Sequence, residues 1–395
     1  MSQVFVDAPC APPVLLVCFS HLRWDLVVQR PHHLMRRAAK TWQVVYFEEF
    51  VRHDGHDILH TRREANGVTI ATPHLSHGTH DADAAVRKLL DQLVAATPHQ
   101  ALITWYYTPM AMAFSSHLRS DACVYDCMDE LSAFRFAPDA LGFLEDRLFA
   151  MCDLTFTGGR SLYEAKRHRH PSVFCLPSSI DVAHFGKARM PMHDPEDQRH
   201  LAKPRVGFFG VIDERMDLDL VRSTAAAMPE SQFVMLGPVV KISPDELPRG
   251  PNLHWLGPKS YEALPAYLAN WQAGWMPFAL NESTRFISPT KTPEFLAAGL
   301  RLASTAIADV VTPYGHGGLV AIADVSTMPE VLHQSLTLPA PGLRRRVDDM
   351  LSGMSWDKTW AAMQDAIEGH LVPGAKMQAT AQARTPRRSV VAEHV

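Results

Sequence analysis

The sequence predicts an α/β protein built from two doubly wound parallel sheets, and three observations lead to this fold class. The 395 residues exceed the usual length of one domain, so two domains are expected. Short apolar runs alternate with helical patterns, which is typical of a parallel sheet covered by helices on both faces. This alternation stops at a polar segment with three prolines, residues 186–204, and then starts again.

The first half of the chain contains the first series of apolar runs. We predict strands over residues 14–19, 44–47, 101–104, 122–125, 154–157 and 173–176. We predict helices over residues 29–40, 81–96, 138–151 and 159–168. Residues 1–185 are therefore assigned to an N-terminal domain. Residues 186–204 are interpreted as a linker, because they are polar and show no periodicity.

The same alternation returns after this linker. We predict strands over residues 206–209, 233–236, 253–256, 273–276 and 302–304, with a further strand over 318–322. Predicted helices cover residues 218–227, 261–269, 290–298 and 341–352. We assign residues 205–354 to a C-terminal domain and residues 355–372 to a final helix. The polar, aperiodic segment 373–395 is expected to be a disordered tail.

Composition argues against several classes of protein. Lys and Arg total 38 against 42 Asp and Glu, whereas a dedicated nucleic-acid-binding protein would carry a basic excess. The longest apolar run, residues 14–19, is far shorter than the ~18–20 residues that span a bilayer. We identify no secretory signal, and the six cysteines are expected to be reduced core residues, so a cytoplasmic protein is predicted.

Other catalytic and metal patterns are weak or missing in this sequence. It contains no phosphate-loop motif, no dinucleotide-binding glycine motif after the first strand and no nucleophile-elbow motif. Histidines within residues 53–60 and 74–80 have metal-like spacing, but they lie in Pro-, Gly- and Asn-rich stretches without an obvious helix for a third ligand. We therefore predict no metal site.

The segment 277–305 carries the clearest chemical signal. A loop after a predicted strand leads into a predicted helix that Ser288 or Thr290 can cap and that ends at Gly299. The free N–H groups and positive dipole end of such a helix start suit a phosphate. The alternative is an ordinary capped crossover helix.

Charged residues in the same segment fit a phosphorylated ligand. Lys291 and Arg285 would add charge-assisted contacts to the phosphate. Glu294 lies one turn further along the helix, where its carboxylate could accept hydrogen bonds from a ribose diol. On the alternative interpretation these charges are simply solvated.

A second candidate phosphate contact follows the first strand of the C-terminal domain. Arg215 is the nearby cation in residues 210–217, and Asp213, Glu214 and Asp217 surround it in the sequence. The alternative is a surface turn in which the carboxylates complement a helix dipole.

The segment 19–33 follows the first strand of the chain, at the carboxyl edge of the predicted sheet, where open parallel sheets bind ligands. Arg23 and Arg30 would bring cations to the cleft, and Trp24 could stack on a ligand ring or else cover the core as a loop aromatic. His21, at the strand tip, could contact a ligand in the same cleft.

Candidate catalytic carboxylates follow another buried strand. Asp126 and Asp129 lie at the carboxyl end of the strand that begins at residue 122. A cleft carboxylate could act as base toward a substrate hydroxyl or stabilise a positive charge that develops at a substrate carbon. The alternatives are loop carboxylates or a helix cap, and the sequence does not choose between the two residues.

Several motifs together resemble GT-B glycosyltransferases of the family 4 type. The pattern S-P-x-K-x-x-E-x-L-A-A-G at 288–299 resembles the donor-binding helix of that family. Further landmarks follow in the family's order, at 177–185 (the P-N-G-V-D…F exit), 207–210 (the glycine turn), 253–264 and 275–278. The run from Trp24 to Pro31 resembles a bacterial polysaccharide-building subset. The family often has a glutamate eight positions before Glu294, and Phe286 stands there instead.

The resemblance implies a fold, a reaction and partners. It implies two facing Rossmann-like domains, with a nucleotide-diphospho-sugar donor bound by the C-terminal domain and a final helix that returns to the N-terminal one. A glycan or lipid-linked acceptor in cell-surface polysaccharide biosynthesis would bind the N-terminal domain, on the side of Arg23, Trp24 and Arg30, and His21 could contact donor or acceptor. Transfer would be retaining and independent of metal or other cofactor. Two alternatives stay open: a nucleotide-sugar epimerase of the same fold, and a non-catalytic sugar-nucleotide-binding partner, to which the departure at Phe286 gives weight.

The predicted helix over 159–168 suggests a contact with the membrane. Ser161 and Glu164 form a capping-box pattern, and four cations follow from Arg160 to Arg169. This helix is either solvated or a docking face for a lipid phosphate or the inner face of the membrane.

Overall fold

The computed structural model describes residues 14–371 of the chain. Within this range two sheets, of nine and six strands, are formed. The strands are β1 (Val14–Ser20), β2 (Gln43–Glu48), β3 (Val51–His53), β4 (Ile58–Arg63), β5 (Thr69–Ser76), β6 (Ala101–Tyr106), β7 (Ala122–Cys127), β8 (Leu154–Thr157), β9 (Val173–Cys175), β10 (Arg205–Phe209), β11 (Gln232–Leu236), β12 (Leu253–Trp255), β13 (Ala273–Met276), β14 (Arg301–Ser304) and β15 (Val320–Ile322).

Helices cover the faces of both sheets. They are α1 (Arg30–Ala38), α2 (Ala82–Ala96), α3 (Met112–Ser115), α4 (Leu141–Met151), α5 (Arg160–Lys166), α6 (Val182–Gly186), α7 (Leu218–Ala227), α8 (Leu264–Leu268), α9 (Lys291–Ala297), α10 (Ala308–Val310), α11 (Met328–Thr337), α12 (Leu343–Ser352) and α13 (Trp356–Leu371). None of those within residues 14–371 is long and apolar enough to cross a bilayer.

Both sheets have the doubly wound strand order. The second runs β12-β11-β10-β13-β14-β15, and all its pairs are parallel. The first runs β3-β5-β2-β1-β6-β7-β8-β9, with β4 antiparallel on β5. The order reverses next to β1 and next to β10, and open α/β sheets bind ligands in the crevice at such points. We call each sheet with its covering helices a lobe, the first or the second.

Burial explains why the strands follow the apolar runs. All six residues of β7 are buried, as expected for a strand with helices on both faces. The first sheet has a separate apolar cluster on each face, whereas one cluster surrounds the second sheet. The cysteines within residues 14–371 are free thiols, and all but Cys175 are buried.

The last helix, α13, packs on the first lobe. Trp360 lies 5.4 Å from Trp42 between ring centroids, and Trp356 stacks on His33 at 4.5 Å. Residues of the preceding α12 belong instead to the core of the second lobe. The chain therefore returns to the first lobe between these two helices. The predicted tail 373–395 lies outside the described residues.

The segment predicted as a linker is anchored to the second lobe. Arg205 donates from Nη1 to Asp194 at 2.7 Å, and Trp271 donates from Nε1 to Gln198 at 3.0 Å. Gln198 is fully buried. These contacts are made by irregularly spaced side chains, so they leave no periodic pattern in the sequence.

The polar segment 51–76, for which no element was predicted, forms β3, β4 and β5 at the edge of the first sheet. His74 lies between His53 and His60, at ring distances of 5.3 and 4.0 Å. No set of three metal-ligating side chains is found among the described residues, this cluster included. The missed helix α11 follows the last strand of the second sheet.

Candidate active site

Two adjoining cavities lie in the cleft between the lobes. The larger, of about 320 Å³, is formed mainly by loops after β10, β11 and β12 and by α9, with α1 and the loop before it on the first lobe. The smaller, of about 110 Å³, is formed by residues after β7, β9, β10 and β13 and by the loop before α9. Both cavities are lined by Gly210 and Lys291, which mark the boundary between them.

Two glycines permit the close approach of backbone at this boundary. Gly210 has φ +144°, and a Cβ there would lie 2.9 Å from Lys291 Cε. Gly237 has φ +148°, and a Cβ there would lie 1.7 Å from the carbonyl oxygen of Gly210. Because only glycine adopts these conformations without strain, the turns after β10 and β11 can pack against each other beside Lys291.

Lys291 is available to a ligand. Its only polar side-chain contact within residues 14–371 is a 3.4 Å hydrogen bond to the Thr290 hydroxyl, and it forms no ion pair there. A cation at the junction of two cavities, at the start of α9, can contact an anionic group that extends from one cavity into the other.

Glu294 lines the larger cavity one turn further along α9. Its carboxylate has no hydrogen-bond or ion-pair partner among the described residues. Burial raises the pKa of this carboxyl group to about 7, against an opposing effect from Lys291. A half-buried carboxylate without a partner is suited to accept hydrogen bonds from a ligand's hydroxyl groups.

Ser288 and Thr290 line the smaller cavity, and Thr290 occupies the predicted N-cap position of α9 without the side-chain hydrogen bond expected of a cap. The helix α9 begins at Lys291, and neither hydroxyl makes a side-chain cap. Ser288 lies instead against the first lobe, since a Cβ on Gly159 would be 2.6 Å from Ser288 Cβ.

The structure does not support Arg285 as a phosphate contact. Its side chain is 63 % exposed, lies 3.5 Å from Glu282 and packs on the ring of Phe286. It lines neither cavity. Arg285 directly follows a short 3-10 turn, residues 282–284, in which Ser283 and Thr284 are buried and Glu282 is exposed.

Arg215 does line the smaller cavity. Its guanidinium is held by the buried carboxylate of Asp213, with Nε and Nη2 at 2.9 and 2.6 Å from the two oxygens. A bidentate contact of this kind fixes the direction of the guanidinium. The neighbouring acidic residue thus orients the cation that the sequence singled out.

The two candidate catalytic carboxylates have different environments. Asp126 is fully buried and is held by Arg30, with distances of 2.9 to 3.1 Å. Arg30 also donates to the carbonyl of Leu176 at 2.8 Å. Asp126 is therefore not open to an acceptor hydroxyl, and the proposed catalytic role for it is corrected. Arg30 lines the smaller cavity, but most of its donors are already engaged.

Asp129 lines the smaller cavity together with Arg215 and Lys291. Burial raises the pKa of this carboxyl group to about 6, although Arg215 opposes the effect. Of the two carboxylates, Asp129 is thus the one placed to exchange a proton with a group in the cavity.

His21 lies at the end of β1 but lines neither cavity. Its Nδ1 is buried without a hydrogen-bond partner within residues 14–371. Burial lowers its pKa to about 4, and the charge of Lys241 adds to this effect. His21 is therefore neutral at pH 7.

Two predicted acceptor-side residues have structural roles instead. Arg23 donates to Glu48 at 3.1 Å and to the carbonyl of Glu49 at 2.7 Å, and it lines neither cavity. Trp24 lines the larger cavity, but its ring is 5 % exposed and packs on His32 and Tyr46. The alternative interpretation, a loop aromatic that covers the core, describes Trp24 better than a sugar platform.

The helix α5 does not present the predicted basic face. Lys166 is buried between Glu145 and Glu130 at 2.9 and 2.7 Å, and Arg169 also binds Glu145. The predicted capping box is not formed either. The first N–H groups of α5, at Arg160 and Ser161, both donate to Asp309 of the second lobe at 2.9 Å.

Sequence reasoning missed a second contact between the lobes. Phe134, from the loop after β7, lies beneath two cations of the second lobe, with Arg215 at 5.2 Å and Lys241 at 4.4 Å from the ring centroid. An isolated loop phenylalanine gives no signal of this kind. Lys241 has φ +63°, which is uncommon for a residue with a side chain.

Among known proteins, no family model matches the chain. A proposed teichuronic acid biosynthesis glycosyltransferase of Bacillus subtilis (strain 168), TuaH, is 25 % identical over 248 residues, which are 55 % of this chain. The chain spans 59 % of the length of that relative.

Solved structures resemble nearly the whole chain. Trehalose-6-phosphate synthase from E. coli bound with UDP-2-fluoro glucose has a TM-score of 0.65 at 13 % identity, covering 91 % of this chain and 99 % of that one. Sucrose-phosphate synthase from Thermosynechococcus elongatus has a TM-score of 0.67 at 12 % identity, covering 89 % and 98 %. These similarities establish the fold: the chain has the GT-B fold that the sequence predicted.

Proposed function

We propose that this protein is a glycosyltransferase that moves a sugar from a nucleotide-diphospho-sugar to a glycan or lipid-linked acceptor. The observation that carries the proposal is the pair of adjoining cavities that share Lys291, at the switch points of both sheets. The likeness to TuaH and to a synthase bound with UDP-2-fluoro glucose supports the same class of reaction.

The donor's nucleoside fits the larger cavity in this proposal, and its sugar fits the smaller one. Glu294 would accept hydrogen bonds from the ribose diol in the larger cavity. The diphosphate would then lie at the boundary, beside Lys291 and the close backbone turn at Gly210.

The chemical step breaks the bond between the sugar's anomeric carbon and the diphosphate oxygen, which keeps the electron pair. Arg215 and Lys291 would stabilise the negative charge that develops there, so side-chain cations would take the part that a divalent ion plays in other transferases. Asp213 holds Arg215 in place beforehand, so little reorganisation is needed during the reaction.

The acceptor hydroxyl would attack the anomeric carbon from the smaller cavity. Its proton would pass to Asp129, whose pKa of about 6 leaves it ionised at pH 7. The products are the glycosylated acceptor and a nucleoside diphosphate. Retention of anomeric configuration stays a prediction, and so does an acceptor from cell-surface polysaccharide synthesis.

The proposal includes a cytoplasmic location near the inner face of the membrane, where a lipid-linked acceptor would be met. Of the basic residues of α5 that first suggested a membrane contact, Arg160 and Arg167 remain well exposed, at 73 % and 59 % of the side chain. Both lie near Glu164, at 4.0 and 2.9 Å, which offsets part of their charge.

Incubation of the purified protein with labelled UDP-, GDP-, ADP- and dTDP-sugars, with and without lipid and glycan acceptors, tests the reaction. Transfer of label to an acceptor, with release of the nucleoside diphosphate, is the expected result. An isomerised donor would instead establish an epimerase, and binding without turnover would establish a non-catalytic partner. Either outcome would overturn the proposal.

The donor site is tested by replacing Lys291 with methionine. We expect K291M to bind a nucleoside diphosphate at least roughly tenfold more weakly than the wild type, because a charge-assisted contact is lost. R285M, in the same segment but outside the cavities, is the matched control and should bind normally. Calorimetric titration measures both, and equal affinity of K291M and the wild type would refute the assigned site.

A further inference from the structure

The larger cavity is lined by two residues whose buried polar atoms have no partner. The Nε of Arg36 and the hydroxyl of Tyr261 are both buried and form no hydrogen bond within residues 14–371. Buried polar groups are nearly always satisfied, so each exception calls for an explanation. Both of these atoms are on residues that line the same cavity, where a polar ligand could satisfy them.

These two residues come from opposite lobes. Arg36 is on α1 of the first lobe, where its guanidinium lies 5.5 Å from the ring centroid of Trp24. Tyr261 is on the second lobe just before α8, and its ring stacks on His184 at 4.1 Å. These ring contacts hold each side chain in place without occupying its hydrogen-bonding groups.

Arg36 is also without a counter-ion among the described residues. The acidic residues that line the same cavity from the first lobe, Asp25 and Glu64, are both bound to Arg62 at 2.7 Å. Arg36 therefore keeps its full donor capacity, which a guanidinium can use only toward an oxygen or nitrogen acceptor.

The polar groups of this cavity form a complementary set. Ionised Glu294 only accepts hydrogen bonds, Arg36 only donates them, and the hydroxyl of Tyr261 can do both. A nucleoside offers ribose hydroxyls that donate and base or ribose oxygens that accept. A diphosphate offers acceptors only, and it would be drawn to Lys291 at the far boundary of the cavity.

We propose that Arg36 and Tyr261 bind the nucleoside part of the donor from the two sides of the cleft, with Arg36 donating to an acceptor oxygen of the nucleoside. This inference rests on the proposed function and adds a nucleotide contact from the first lobe. A donor held in this way touches both lobes, so its binding stabilises their closed arrangement.

The experiment compares R36M and Y261F with the wild type in calorimetric titrations with UDP, GDP, ADP and inorganic pyrophosphate. R37M is the matched control, since Arg37 is on the same helix but binds Asp357 at 2.9 Å. We expect R36M to bind the preferred nucleoside diphosphate roughly tenfold more weakly and pyrophosphate as the wild type does. R37M should match the wild type for both ligands.

Y261F distinguishes a role in nucleoside binding from a role in stability. If R36M does not fold, Y261F tests the inference in its place. Removal of an unsatisfied buried hydroxyl should leave the unliganded Tm equal or higher while nucleoside diphosphate affinity falls severalfold. Unchanged nucleoside diphosphate affinity in R36M or in Y261F, or an equal loss for pyrophosphate, would overturn this inference alone. A wild type that binds no nucleoside diphosphate would overturn the proposed function itself.

Discussion

Glu294 is a residue at which stability and ligand binding oppose each other. Burial raises the pKa of its carboxyl group from 4.5 to about 7, so the folded protein keeps a proton that the unfolded chain has lost at neutral pH. A group whose pKa is raised on folding contributes fully to the free energy of unfolding at pH values below its pKa in the unfolded chain. This contribution is lost as the pH rises through its pKa in the folded protein. The ionised form that a ribose diol needs is therefore the less stable form.

Replacing Glu294 with glutamine should make this conflict measurable. We expect the Tm of E294Q to rise relative to that of the wild type as the pH increases from 5 to 8, because only the wild type must ionise this carboxyl group in the folded protein. Nucleoside diphosphate affinity at pH 8 should fall roughly tenfold, since an amide replaces a charged acceptor. Thermal unfolding and calorimetry give the two values.

The control for this prediction is E330Q, which changes an exposed glutamate on α11. Its Tm should follow the wild type across the pH range. A Tm difference between E294Q and the wild type that stays constant with pH would contradict the prediction.

The sequence identified the chemistry of several site residues but not the direction of each side chain. Lys291, Glu294, Arg215 and Asp129 all line the cavities, and each follows a strand end or lies in a helix start that the sequence showed. Arg285 had the same charge and neighbourhood, yet the 3-10 turn before it points it to solvent. Such a difference of direction depends on local backbone angles that composition and spacing do not encode.

At the scale of elements, burial decided what could be predicted. The strand β13 was predicted with the observed bounds, because a strand buried on both faces is a continuous apolar run. The edge strand β4 is almost entirely exposed and rich in polar residues, so it had no such signal. The contact of α5 with Asp309 was also missed, since the partners are 148 and 149 residues apart.

The turn after β11 gives a prediction for this scale. G237A should destabilise the protein by roughly 2–4 kcal/mol, because Gly237 has φ +148° and its added Cβ would meet the carbonyl oxygen of Gly210 at 1.7 Å. Denaturant unfolding measures the change. G142A is the control, since Gly142 is inside α4 with no atom within 4 Å of an added Cβ.

The control should be stabilised by about 0.5 kcal/mol, because alanine favours a helix interior over glycine. A G237A protein with wild-type stability would show that the turns after β10 and β11 do not pack as described.

At the scale of the whole molecule, the lobes are held together around the cleft by specific contacts. Asp309 binds the first N–H groups of α5 across the interface, and Phe134 lies under cations of the other lobe. A Cβ on Gly159 would lie 2.3 Å from the Asp309 carboxylate, which shows how closely the lobes approach there. These contacts belong to a closed arrangement.

Replacement of Asp309 with alanine should shift the protein toward a more open arrangement. The lost contacts stabilise only the closed form, so we expect a larger radius of gyration in small-angle X-ray scattering without ligand. D324A is the control, because Asp324 also binds backbone N–H groups, at Ser326 and Thr327, but within its own lobe. An unchanged radius for D309A would exclude this role for Asp309.

The return of α13 to the first sheet restricts how such opening can occur. The chain passes between the lobes once after β9 and again between α12 and α13, so two separate tethers join them. Two fixed points define a line, and bodies joined at both can rotate about that line but cannot swivel freely. The cleft should then open by rotation about one axis. Its mouth would always widen on the same side, and substrates would enter from that side.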